Sequence, residues 1–193
     1  MQEEAGTPLT SSHPAQSAPR PVPPGHQRRL TTVLLGLALV VLVIDQGTKV
    51  WALNSLTPGE KVDLIGSFIS LNLIRNPGAA FGMGAGATIV FSIFAIVATL
   101  ACLFYALPRI TRPWHGVVLG MLMAGITGNL VDRIFQPPAA LHGHVVDMFQ
   151  LPNFAIFNVA DMCITFAAAI IIINSFRGDP DKDEAEGAGE TAP

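Results

Sequence analysis

The sequence predicts a mainly α, integral membrane protein, with four transmembrane helices and a small strand-rich extracytoplasmic subdomain. Three observations carry this prediction. Half of the 193 residues are hydrophobic and only 13% are charged, with a mean hydropathy of +0.49, a balance too apolar for a soluble domain. Four apolar segments each approach the ~20 residues needed to cross a bilayer. Between the first two lies VDLIGSFISLNLIRN, whose β-branched and aromatic residues in partial alternation read as strands.

Residues 1–29 are rich in Pro, Ser, Gln and Ala and end in the basic group His26, Arg28 and Arg29. They are expected to form a disordered cytoplasmic arm. The first span follows at about 30–53. It has a basic flank and an apolar run like a signal peptide, but it lacks an Ala-x-Ala-type cleavage site and runs on too long, so it reads as a retained helix. A loop at about 54–86 holds the expected strands, and NPGAAFGMGAGA then supplies turns and a flexible approach to the second span at about 87–107. The third span is placed at about 114–135 and the fourth at about 156–176. Residues 177–193 form an acidic tail, with six acids against one Lys between Asp179 and Glu190. This tail is expected to be disordered, and it argues against nucleic acid as a partner.

Lys and Arg orient the spans. Arg20, Arg28 and Arg29 precede the first, Arg109 and Arg112 fill the short loop between the second and third, and Arg177 and Lys182 follow the fourth. Both termini are therefore expected in the cytoplasm, with the loops at 54–86 and 136–155 outside. Cys102 and Cys163 fall within apolar segments, where cysteine acts as a small packing residue. They form neither a disulfide framework nor a metal pattern.

The polar residues at the membrane are the more informative set. The first span carries Asp45 and Lys49, the third Asn129, Asp132 and Arg133, and the fourth opens with Asn158 and Asp161. Asn76 and Asp147 lie in the outer loops. With the orientation above, all fall near the outer membrane surface, and charges within spans are costly unless they face a protein interior or water. Asp45 and Lys49 are four apart, a spacing that makes an ion pair on one helix face; their role is either structural and orienting or chemical. Asn129 and Arg133 also share a face, whereas Asp132 and Arg133 diverge. Arg133 could reach toward lipid headgroups, or it could join Asn129 as a donor toward a substrate backbone or a carboxylate. Gly120, Ala124 and Gly128, spaced by four, would let another helix approach closely.

Asn158 at i−3 could cap the fourth helix, and Asp161 in its first turn gains from the helix dipole. Neither explains a second acid, Asp147, in the apolar VVDMF 14 residues earlier. Two carboxylates brought together in a partly dry site share a proton. One can then accept a proton from water while the other hydrogen-bonds a carbonyl oxygen, which is peptide hydrolysis without an acyl-enzyme. His142 and His144 with Asp147 lack the spacing and the further ligands of a metal site. Ser55, Ser67, Ser70 and Ser92 lack a convincing Lys partner for a serine peptidase. No cofactor is expected. A small transporter or channel would place polar residues deep in the spans on both sides of the midplane, and a non-catalytic scaffold would not require two acids at one level.

Five ordered blocks, DQGTK (45–49), NPGAAFG (76–82), GNLVDR (128–133), HVVDMF (144–149) and FNVAD (157–161), resemble the lipoprotein signal peptidases, the type II bacterial signal peptidases. Met148, where an aromatic or apolar residue often follows the Asp, is a minor departure. The resemblance spans about 30–176 and implies a globomycin-sensitive family of four-helix membrane aspartyl proteases. These enzymes remove the signal peptide of a diacylglyceryl-modified prolipoprotein by cutting before its lipidated cysteine. It implies a catalytic dyad of Asp147 and Asp161. Asn76, Gly78, Asn129 and Arg133 would line the substrate site, with Asp45, Lys49, Asp132 and Asn158 in support and no metal. It further implies a multi-pass protein of the bacterial inner membrane, a monomer in contact with lipids, whose active site opens at the outer face. The strand-rich subdomain could cover that site and shed product.

Overall fold

The structure, a computed structural model, describes residues 24–78, 87–110 and 112–176. The expected acidic tail, most of the N-terminal arm and the glycine-rich approach to the second span lie outside the described residues. Among the described residues, four helices are long and apolar enough to cross a membrane. Helix α1 spans Pro24–Ser55, α2 Thr88–Ala101, α3 Pro113–Phe135 and α4 Val159–Phe176. Beyond Ala101, α2 continues through a π-helical turn, Cys102–Ala106, and a 3₁₀ turn, Leu107–Arg109. Helix α1 begins ahead of the expected Leu30, with the polar turn GHQRR inside the helix.

Helix α3 is the central one. Gly116, Val118, Leu119, Gly120, Met123, Ala124, Gly125 and Gly128 are all buried, whereas α1 turns Val33, Leu39 and Val43 outward. Helices in lipid gain little from hiding apolar surface, so close backbone approach holds them together. The glycines permit it. A Cβ on Gly120 would stand 3.1 Å from Leu34 O, and one on Gly128 would stand 2.6 Å from Asp45 Oδ2. The stripe read from the sequence is thus the seam between α3 and α1, and Gly125 extends it to α4, where a Cβ would meet Ala160 O at 2.6 Å.

The sheet holds β1 (Lys61–Ile65), β2 (Ile69–Asn76) and β3 (Val145–Gln150), antiparallel in that order. The first two form the strand-rich loop expected from the sequence. The third is a difference, because HVVDMF read as loop. Strand β3 pairs with a segment some seventy residues earlier, Ile74 opposite Asp147 and Asn76 opposite Val145, and such non-local pairing leaves no mark in local pattern. Side chains alternate across a strand. Leu71 and Leu73 of β2 and Val146 and Met148 of β3 turn to one face and pack on Ala52 of α1, seating the sheet on the end of that helix. Asn76 and Asp147 are left on the other face. The start of α2 ties both neighbouring loops down, with Thr88 Oγ1 donating to Pro77 O at 2.5 Å and Ser92 Oγ to Leu141 O at 2.7 Å.

Candidate active site

Asp147 stands at the middle of β3 and is only 1% exposed. Its Oδ1 accepts from Asn158 Nδ2 at 2.6 Å and its Oδ2 from Asn76 Nδ2 at 3.0 Å. Asn76 is aimed by its own turn, since its Oδ1 accepts the Gly78 N–H at 3.0 Å, an Asx turn built on Pro77. Burial pushes the Asp147 carboxyl up to about 7, the negative charge of Asp161 pushes in the same direction, and the two asparagine hydrogen bonds oppose them.

Asp161 lies in the first turn of α4. Asn158 Oδ1 accepts the Asp161 N–H at 2.9 Å, and Asp161 Oδ2 accepts the Asn158 N–H at 3.2 Å. This reciprocal pair is a capping box with Asn and Asp in place of the commoner Ser and Glu. Asp161 Oδ1 accepts from Asn129 Nδ2 at 2.8 Å. Every oxygen of the two carboxylates therefore has an N–H donor, and Asn158 serves both.

Behind the carboxylates is a buried ionic hub. Lys49 Nζ lies 2.9 Å from Asp45 Oδ2 and 2.9 Å from Asp132 Oδ2, and it donates to Asn129 Oδ1 at 3.1 Å. All three charged residues are at most 1% exposed. Buried charges persist only when paired and hydrogen-bonded, and here both carboxylates also accept a main-chain N–H. Asp45 Oδ1 accepts from Ala160 N at 2.9 Å, and Asp132 Oδ2 from Val146 N at 3.1 Å. Ala160 directly precedes Asp161 and Val146 directly precedes Asp147, so the hub holds the backbone beside each cavity aspartate. Gln46 Nε2 completes it, donating to Asp45 Oδ2 at 3.0 Å and to Gly128 O at 3.1 Å.

Arg133 is buried, with Nη2 donating to Gly78 O at 2.9 Å and its guanidinium 5.8 Å from the centre of the Phe91 ring. It does not extend toward headgroups. Its Nε has no hydrogen-bond partner among the described residues. Asn76, Gly78, Asn129, Arg133, Asp147 and Asp161 line the polar end of a cavity of about 640 Å³, whose other wall is apolar, with Phe157, Met162, Ile164 and Phe166. Asp45, Lys49, Asp132 and Asn158 lie behind that lining. Two carboxylates in one partly dry cavity, one of them titrating near neutrality, can hold a proton between them and polarise a water.

The residues singled out in the sequence thus fall into one connected network. The Asp45–Lys49 pair and the divergence of Asp132 from Arg133 are present as read, and Asn129 faces a carboxylate. Sequence reasoning missed Gln46, although it lies inside DQGTK, and the main-chain donors of Val146 and Ala160, for which a sequence carries no signal. His142 is exposed, its Nδ1 3.3 Å from Ala140 O in its own loop, and neither it nor His144 lines the cavity.

The sequence profile of the family Signal peptidase (SPase) II matches residues 37–177. The lipoprotein signal peptidase of Mycobacterium tuberculosis is 42% identical over 171 residues, covering 89% of this chain and 84% of that protein. That of Rhodococcus jostii is 41% identical over 170 residues, covering 87% and 83%. A solved bacterial membrane enzyme superposes with a TM-score of 0.70 at 28% identity, covering 78% of this chain and 92% of that one.

Proposed function

Because the chain belongs to the signal peptidase II family, we propose that it is a multi-pass bacterial membrane endopeptidase of the aspartyl type. It removes the signal peptide of diacylglyceryl-modified prolipoproteins by cutting before the lipidated cysteine. The observation that carries the chemistry is the single residue Asn158 serving Asp147 and Asp161 together at the polar end of a cavity with an apolar wall. Residues 30–176 form the peptidase unit, which acts as a monomer in contact with lipids. Its termini lie in the cytoplasm and its site opens at the outer face of the inner membrane, in line with the distribution of Lys and Arg.

In this reading the dyad carries one proton. The ionised carboxylate takes a proton from the bound water as the water oxygen attacks the carbonyl carbon of the scissile bond, and the protonated carboxyl donates to the carbonyl oxygen. The resulting gem-diol collapses. The C–N bond breaks, a proton passes to the leaving nitrogen, and the products are the signal-peptide carboxylate and the free amine of the lipidated cysteine. Asp147, held up to about 7, is suited to share that proton at neutral pH. Asn76, Gly78, Asn129 and Arg133 position the substrate backbone, and Arg133 Nε, without a hydrogen-bond partner among the described residues, is a donor available to a substrate carbonyl. The apolar wall suits a membrane-anchored peptide and its acyl chains.

The test follows signal-peptide loss from a diacylglyceryl-modified prolipoprotein by gel shift, using purified protein in detergent or lipid. The wild type should cleave in EDTA and be inhibited by globomycin. Asp147→Asn and Asp161→Asn should each be folded and slower by at least about 10³-fold, the order seen when a member of a catalytic set is removed. Full activity in either variant would eliminate the dyad.

A further inference from the structure

A second groove, of about 350 Å³, adjoins the cavity and shares Asn76, Phe154, Ala155 and Ile156 with it. From there it follows Ile74 and Arg75 of β2 toward Gln150 at the end of β3. It leads along the sheet, away from the helices, whereas the cavity's apolar wall follows α4 through Met162, Ile164 and Phe166. The two meet at Asn76, whose amide donates to Asp147 Oδ2 at 3.0 Å. Strand β1 pairs with β2 as far as Asn72 and the Gly59 N–H donates to Leu73 O at 3.0 Å, so the groove, whose β2 lining begins at Ile74, lies past the last of these bonds. Asn72 Nδ2 donates to Gln150 Oε1 at 3.1 Å, while Asn72 Oδ1 is buried without a hydrogen-bond partner among the described residues. Arg75 is the charged residue in the groove's lining, exposed, with Nη1 donating to Gln136 Oε1 at 3.0 Å.

A substrate cut at the carboxylates must leave in two directions. Its membrane-embedded part is apolar and fits the α4 wall. The other part is a water-soluble chain that has to run clear of the bilayer in extended form, and a strand flank with a polar rim is the surface that accepts extended chain. We propose that this second groove receives the first few residues on the C-terminal side of the cleaved bond. Arg75 makes it favour acidic over basic side chains there. The inference rests on the peptidase reading above and adds a subsite to it.

The experiment uses three prolipoprotein substrates identical except for Asp, Ser or Lys at the two residues after the lipidated cysteine. Values of kcat/KM are determined for the full-length wild type, Arg75→Gln and Arg75→Glu. The wild type should prefer the Asp substrate over the Lys substrate by about two- to fivefold, the size of a screened ion pair at an exposed site. Most of that difference should lie in KM. Arg75→Gln should bring the Asp-to-Lys ratio near one, and Arg75→Glu should invert it. Because the readout is a ratio within each enzyme, a general loss of activity does not imitate it. A ratio that stays the same in all three enzymes overturns the subsite. Failure of the wild type to cleave any of the substrates overturns the peptidase reading instead.

Discussion

Lys49 Nζ lies 3.1 Å from Asn129 Oδ1, and this contact decides which way the Asn129 amide faces. An ammonium can only donate, so the amide must turn its oxygen to Lys49 and its NH₂ to Asp161, where Nδ2 stands 2.8 Å from Oδ1. Asn158 Nδ2 reinforces the choice by donating to the same Asn129 oxygen at 3.1 Å. A cation outside the cavity thereby sets a hydrogen bond inside it.

Lys49→Met should therefore lose activity by more than its stability loss accounts for. Removing the cation leaves Asp45 and Asp132 buried and unpaired, a cost of about 3–5 kcal/mol, seen as a lower melting temperature in detergent. In the molecules that remain folded, Asn129 is free to flip and the backbone beside each aspartate loses its anchor. A displacement of that kind costs about 10²-fold in kcat. Lys49→Arg keeps the charge and is the comparison. A folded Lys49→Met with wild-type kcat would show that the hub is structural only.

Asn158 combines two roles that substitution can separate. Asn158→Ser keeps an N-cap oxygen for the Asp161 N–H but cannot reach Asp147 Oδ1 as the amide does. Its melting temperature should stay near that of the wild type while kcat falls by about 10²-fold, the effect of removing one donor at a reacting centre. Asn158→Ala should lose the cap as well, about 1 kcal/mol. Equal kcat in Asn158→Ser and wild type would remove the donation to Asp147 from the mechanism.

What could be read from the sequence follows local geometry. Asp45 with Lys49 and Asn158 with Asp161 are spaced by about one helical turn, so their pairing is fixed by the helix itself. The four spans were readable because apolar length is a local property. Strand β3 was not, because VVDMF is short and its partner is β2. Nor was the bond from Lys49 to Asp132, which depends on α1 and α3 crossing at Gly128. Identity of the residue types was visible, but the wiring between elements needed the packing.

That packing gives its own prediction at Gly125. A Cβ there would stand 2.6 Å from Ala160 O and 2.6 Å from Ile164 Cγ1, and the backbone oxygen cannot move without shifting the start of α4. Gly125→Ala should cost about 1–3 kcal/mol as overpacking, read as a drop in melting temperature, and it should slow cleavage because Ala160 precedes Asp161. Gly36 of α1 has nothing within 4 Å of the same position. Gly36→Ala should be neutral or stabilising by up to about 1 kcal/mol, the helix-propensity difference. Equal melting temperatures for the two variants would count against the tight α3–α4 seam.

Burial, with the charge of Asp161 second, lifts the Asp147 carboxyl from 3.8 to about 7. The folded protein thus binds this proton more tightly than the unfolded chain does. The contribution to stability is complete below about pH 3.8 and is lost as pH rises toward 7, because the native state binds more protons throughout that window. Asp147→Asn cannot ionise, so denaturant titrations of the variant should lack this part of the decline that the wild type shows between pH 4 and 7. In the proposed mechanism, activity turns on the same proton. If the pair must hold one proton, kcat/KM should fall on the alkaline side of about pH 7, and the limb belongs to the pair rather than to either residue. The Asn76 hydrogen bond lowers the Asp147 value, so Asn76→Ala should move the limb to higher pH as well as slowing the reaction. A slower Asn76→Ala enzyme whose limb stays in place would mean that a group outside the pair sets the alkaline limit.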